Sequence, residues 1–256
     1  MFWTNTMIKS TALGIALFTG MIATSANAEP IVVKSSGPSA STYPPGRKLA
    51  PASIITLKSG DVLTILDGKG TRTLRGPSSF STSSVTSSGV DTRTSLSSLL
   101  TTNRARRART GAVRTVTSGD TAKTPRSPNL WFVDISQSST VCVNDMANIQ
   151  LWRPDQAKAL KVKISNVKTG ANALVAYEKN QSLAVWPTGT LAAVDGTSYS
   201  LSWAGLAKPI GIRIVPMGNN VEGLESTASS LITKGCEAQL NLLIETVAQP
   251  DPVIGG

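Results

Sequence analysis

The chain has 256 residues, 25 of them Lys or Arg against 15 Asp or Glu, and it contains no histidine. That absence excludes the Ser–His and Cys–His dyads, the usual zinc sites and the commonest general base near neutral pH. The formal charge of +10 is uneven: residues 29–80 carry net +4, residues 81–128 net +6 and residues 129–256 net −1.

Residues 1–28 read as a signal peptide. Lys9 is their one charge, residues 12–23 are apolar, and Ala26-Asn27-Ala28 supplies small residues for cleavage after Ala28. The apolar stretch is short for a membrane span, which needs about 20 residues. No later stretch is apolar enough to span, and no cysteine follows the cleavage point to carry a lipid. The mature chain is therefore expected to be soluble and periplasmic or secreted, with no transmembrane segment after cleavage.

Residues 29–80 read as a small β-unit, with strands expected at 31–34, 54–58, 62–66 and 71–75. Tyr43-Pro44-Pro45-Gly46 breaks regular structure between the first two. Asp67-Gly68-Lys69-Gly70 has the glycines and lysine of a phosphate loop. A Walker loop, however, needs G-x-x-x-x-G-K-[ST], and here Gly60 lies eight positions before Gly68 while Gly70 follows Lys69. A dinucleotide fingerprint needs a third glycine at 73, which is Thr, and a helix behind it. The β-rich run Val62-Leu63-Thr64-Ile65-Leu66 followed by Asp-Gly is instead a hairpin signal. The series Gly46, Leu49, Ile54-Ile55-Thr56-Leu57, Gly60-Asp61-Val62-Leu63, Asp67-Gly68, Leu74 and Gly76-Pro77-Ser78 resembles the FecR-type periplasmic domain. The resemblance spans residues 31–80 and implies a periplasmic β-module that binds or scaffolds. Signal transducers of that family also carry a membrane helix and a cytoplasmic tail. This sequence shows neither, so iron-linked signalling is not carried over.

Residues 81–128 read as a basic linker rich in Ser and Thr, a composition that buries too little apolar surface to offset chain ordering. A short helix is possible at 95–109, where Leu96, Leu99 and Leu100 share a face. Arg104, Arg106, Arg107 and Arg109 form the sharpest charge cluster. Such runs are usually solvated. As an anion site the cluster would take anionic lipid headgroups or lipopolysaccharide phosphates, since export removes nucleic acid as a partner.

Residues 129–248 read as the main domain. Strands are expected at 130–135, 140–143, 149–153, 160–165, 173–177, 183–186, 199–203 and 210–215. Turn residues separate most of them, which indicates a β-sandwich, immunoglobulin-like as the first choice. The period then changes. Leu224, Ala228, Leu231 and Ile232 share a helical face with Gly235 as a stop, and Leu240, Leu243, Ile244 and Val247 continue helically. In an oxidising compartment, Cys142 and Cys236 are most simply one disulfide, tying the second helix to strand 140–143. The spacing excludes a C-x-x-C redox site, and no basic cluster beside either cysteine argues for a reactive thiol. Residues 249–256 read as a flexible tail.

Little here carries chemistry. Trp131, Trp152, Trp186 and Trp203 fall in expected strands and suit core filling better than a sugar-stacking platform. Ser165-Asn166-Val167-Lys168-Thr169-Gly170 contains both S-x-x-K and K-T-G of the serine β-lactamases, but Lys168 would have to serve as both lysines, and a strand end plus turn accounts for it. Carboxylates are scattered, with no calcium loop and no metal-ligand cluster. The fold expected is mainly β: a FecR-like β-unit, then a sandwich with C-terminal helices. The function expected is a non-enzymatic binding or scaffolding protein of the periplasm. It would have a protein partner in the cell envelope and no cofactor. The alternatives are a carbohydrate- or peptidoglycan-binding module and a histidine-free hydrolase of Ser–Lys or paired-carboxylate type.

Overall fold

The computed structural model describes residues 29–68, 70–82, 126–218 and 223–248. Among these the protein is mainly β, with several sheets and two helices near the C-terminus. No helix among them is long and apolar enough to cross a membrane. The expected signal peptide, the arginine run and the C-terminal tail lie outside the described residues.

The small unit begins with β1 (Ile31–Ser36), β2 (Ile54–Leu57), β3 (Val62–Asp67) and β4 (Gly70–Arg75). β3 and β4 are the expected hairpin, in register from Val62 opposite Arg75 to Asp67 opposite Gly70. β1 adds to the other side of β3, so the sheet order is β1-β3-β4. A fifth strand corrects the sequence reading: β5 (Ser78–Ser81) pairs with β2, Leu57 opposite Ser78 and Ile54 opposite Ser81. Its Ser-rich sequence carries no strand signal; pairing with β2 makes it a strand. The unit therefore runs past Phe80 to Thr82, whose hydroxyl donates to the carbonyls of Ala50 and Ser53. Val32, Leu49, Ile55, Leu57, Leu63, Ile65 and Leu74 form its core.

Asp61 joins the loops of this unit. Its carboxylate accepts from the backbone N–H of Ser39 at 2.8 Å and of Lys58 at 2.5 Å. A Cβ on Gly37 would lie 2.6 Å from Asp61 Oδ1, and one on Gly76 only 1.9 Å from the Lys58 carbonyl, so both positions need glycine. Burial pushes the Asp61 carboxyl up, but the hydrogen bonds from Ser39 and Lys58 and the Lys58 charge outweigh it and hold it below the ordinary 3.8. A depressed folded-state pKa gives stability that is complete above the unfolded value, about 4, and lost as the pH falls through the folded value. Urea melts at pH 6 and pH 3 should therefore show the gap between wild type and Asp61→Asn narrowing on acidification. An equal gap at both pH values would contradict this account.

The main domain contains β6 (Val133–Asp134), β7 (Ser139–Val143), β8 (Gln150–Trp152), β9 (Leu160–Asn166), β10 (Asn172–Tyr177), β11 (Leu183–Val185), β12 (Ser198–Ser202) and β13 (Ile210–Pro216). One sheet has the order β10-β9-β12-β13-β7 and a second the order β11-β8-β6. Buried and exposed residues alternate along β9, β10 and β13. Their inward side chains, among them Val162, Ile164, Val175 and Ile212, meet Val133, Leu151 and Ala184 of the other sheet in one core. The pairings β13–β7 and β6–β8 are parallel. The expected strand at 130–135 shrinks to β6. Before it the chain turns, with the Asn129 side-chain oxygen accepting from the Trp131 N–H at 2.8 Å.

The tryptophans divide. Trp186 is 1 % exposed, donates its indole N–H to the Leu191 carbonyl and meets Tyr199 edge-on at 4.8 Å. Trp152 is also buried in β8. Trp131 and Trp203 are half-buried, but one packs on the helices and the other on the sandwich. Only Trp152 lies within a strand, the other three sitting in a turn or just past a strand end, and the four do not share a face.

Two helices follow, α1 (Leu224–Lys234) and α2 (Glu237–Thr246). Gly235 stops α1 as expected: it is left-handed, with its N–H on the Ile232 carbonyl and the Cys236 N–H on that of Leu231. The buried faces of both helices join Ile31, Val33 and Leu66 from the small unit to Leu130, Cys142 and Met217 from the main domain in a third core. The Thr71 N–H and hydroxyl donate to the carbonyls of Val247 and Ile244. The helices thus form the joint between the two β regions.

Candidate functional site

The site is built on the outer edge of β7, which no other strand pairs among the described residues. Strand residues present their backbone N–H and C=O groups to alternate sides. The Val143 carbonyl accepts from the Met217 N–H, on the β13 side. The Cys142 N–H and C=O therefore face the opposite way, and there the Gln239 side-chain amide meets both, each at 2.7 Å. The same amide nitrogen also donates to the Leu130 carbonyl at 2.6 Å. Gln239 is 6 % exposed and acts as one residue of a missing strand.

Two residues earlier, Thr140 presents its N–H and C=O to the same side by the same alternation, and it lines a cleft of about 560 Å³. One wall of the cleft is Ser139, Thr140 and Val141. The other is Ala238, Asn241 and Leu242 of α2, and Leu130, Phe132 and Gln239 lie between them. At one end Glu245 pairs with Arg126, where the described chain resumes. Elsewhere on the lining Asp134 accepts from the Ser136 N–H, the Ser136 hydroxyl and the Gln137 amide, at 2.8, 2.6 and 3.1 Å. Asp134 and Glu245 are the two carboxylates of the lining, and each is engaged by its own neighbour. The arrangement suits an extended backbone lying along β7: hydrogen-bonding groups on one wall, and Ala238 and Leu242 with the Asn241 amide on the other.

Cys142 and Cys236 are joined, with their Cα atoms 5.9 Å apart, so the bond links β7 to the residue that caps the start of α2. Arg104, Arg106, Arg107, Arg109 and Ala28 lie outside the described residues. Asp67 ends β3 and pairs with Gly70, with Gly68 in the hairpin turn between them. Residues 166–170 turn between β9 and β10, the Asn166 side chain accepting from the N–H groups of Lys168 and Thr169 at 2.9 and 3.0 Å. Its lysine therefore belongs to a turn rather than to the start of a helix. Among the described residues no group of His, Cys, Asp and Glu could hold a metal ion.

Sequence reasoning missed Gln239, Thr140 and Arg153. Gln239 shares a helical face with Cys236, Leu240 and Leu243, so a polar residue in an apolar stripe was the available signal. Arg153 is buried and donates to the carbonyls of Gln181, Lys158 and Glu178 at 2.8, 2.8 and 2.9 Å, with its guanidinium 4.9 Å from the Tyr177 ring centre. It fastens two loops of the sandwich and lies outside the cleft.

The chain matches no family model, no curated protein and no solved structure. The resemblance to the FecR-type domain therefore rests on its residues alone. In this structure those residues are structural: Gly60-Asp61 and Gly76 hold the loops, and Leu49, Leu63 and Leu74 fill the core of the unit.

Proposed function

We propose that the protein is an exported, non-enzymatic scaffold of the cell envelope that binds an extended segment of a partner protein as an added strand beside β7. The observation that carries this reading is the Thr140 edge, which lines a cleft shared with Ala238 and Leu242 of α2. Strand addition draws affinity from backbone hydrogen bonds and specificity from pockets for alternate side chains. Export is supported by the signal-like residues 1–28 and by the disulfide, which persists in oxidising compartments. The FecR-type resemblance of residues 31–80 supports a periplasmic location. The sheet orders β10-β9-β12-β13-β7 and β11-β8-β6 support an immunoglobulin-like reading of the sandwich, from which the parallel β6–β8 pair departs. The arginine run remains, in this proposal, a contact for anionic lipid headgroups or lipopolysaccharide.

The test uses a photo-cross-linking residue at Leu242 in the mature protein, on the wall facing Thr140. Cross-linking in envelope extracts should trap a partner. Thr140→Pro removes one edge N–H without touching the β13 side, since proline is tolerated on a free edge. It should weaken capture about tenfold, the worth of one hydrogen bond. A folded Thr140→Pro protein that captures the same partner equally well would refute strand addition.

A further inference from the structure

The outer face of the five-stranded sheet is the second surface without a function. The strands β7, β9, β10, β12 and β13 contain Lys161, Lys163 and Arg213 and no acidic residue, although residues 129–256 hold ten acids. Alternation puts these three side chains outward, opposite the core residues Val162, Ile164 and Ile212. Lys168 adds a fourth positive charge at the β9–β10 turn. Around them lie short polar groups, Ser165, Ser198, Ser200 and Ser202, with Gly211 of β13 opposite Ser200. No ion pair engages any of these basic side chains among the described residues. The helices pack on this face at β7, where Cys142 joins the helix core, and just past the end of β13, where Met217 joins it.

Two apolar side chains stand out of the same region. Leu174 is 70 % exposed and lies directly across from Lys163, and Val167, 65 % exposed, is on the turn beside Lys168. A cluster of cations alone fits any polyanion. Exposed apolar side chains among cations fit a narrower partner, a surface with negative charge outside and hydrocarbon just beneath.

We infer that this sheet face docks the protein on an anionic lipid bilayer, with Lys161, Lys163, Lys168 and Arg213 on the headgroups and Leu174 and Val167 at the boundary with the acyl chains. The inference does not depend on the cleft. It predicts that Lys161 and Lys163 lie against the membrane.

The experiment uses the mature chain with Arg104, Arg106, Arg107 and Arg109 replaced by serine, so that the other basic run cannot contribute. Partition is measured on phosphatidylcholine vesicles with and without about one-third phosphatidylglycerol, an anionic content that gives each nearby lysine about a fivefold effect. The parent should bind the anionic vesicles and not the neutral ones. Lys161→Ser with Lys163→Ser should lower partition about 25-fold at low salt. Leu174→Ser should lower the part that survives when salt screens the charges. Amine labelling of Lys161 and Lys163 in the unaltered protein should slow on vesicles, which checks the orientation without any variant. No binding by the parent, unchanged partition of the lysine variant, or unchanged labelling overturns the proposal. So does full competition by soluble polyphosphate with no effect of Leu174→Ser, which would mark a general anion surface. Thr140→Pro should leave vesicle binding unchanged, so failure of the cleft reading and failure of this one are distinguishable.

Discussion

Removing the Cys142–Cys236 bond, by reduction or by Cys142→Ala with Cys236→Ala, should cost about 4–5 kcal/mol, the chain-entropy figure for a loop closed over 94 residues. The measurement is the urea midpoint of the protein with and without reductant. The loss should be felt beyond the sandwich. Cys142 and Cys236 sit in the core that the helices share with Ile31, Val33 and Leu66, so loosening α2 uncovers part of the small unit as well. Unfolding of the two β regions is expected to lose its coincidence when the bond is cut. Oxidised and reduced protein unfolding at the same urea concentration would show that packing alone holds the helices.

Gln239→Met should destabilise by about 3–5 kcal/mol, a large effect for a substitution that nearly preserves volume. The wild-type amide satisfies three backbone groups: the N–H and C=O of Cys142 and the C=O of Leu130. Leaving a buried polar group unpaired costs about 1–3 kcal/mol each, with water from the adjoining cleft offsetting part of it. Urea melts give the magnitude, and amide exchange at Cys142 gives the location. A loss under about 1 kcal/mol would mean that the edge of β7 does not need its surrogate partner. The disulfide and Gln239 act on the same residue. Their effects should therefore fail to add, and a double-mutant cycle measures the shortfall.

What the sequence disclosed and what it hid differ in physical kind. The β3–β4 hairpin was legible because Asp67-Gly68 specifies a turn locally. The sandwich strands were legible because burial alternates with period two. The end of α1 was legible because only a residue that tolerates the left-handed region fits there, and Gly235 does. β5 was not legible: Ser78-Ser79-Phe80-Ser81 has no period, and its strand form comes from β2 across the sheet. The strand expected at 130–135 failed for a similar reason, since the Asn129 side chain turns the chain while Leu130 and Phe132 stay buried. The cleft depends on residues more than ninety positions apart. Gln239 lies 97 residues from Cys142 and 109 from Leu130, and no local pattern announces such a meeting.

The helical joint also fixes an order of assembly. β1 is made early, yet the core that holds Ile31 and Val33 is not complete until residues 224–247 arrive to pack on them. The hydroxyl of Thr71 waits for the Ile244 carbonyl, 173 residues later. During synthesis the leading unit must therefore stay incomplete, with apolar surface bare, until nearly the whole described chain has been made. Loops of that length close slowly and leave the intermediate open to aggregation. A holding chaperone would find its natural client in this half-finished state, and its grip should loosen once the trailing helices dock.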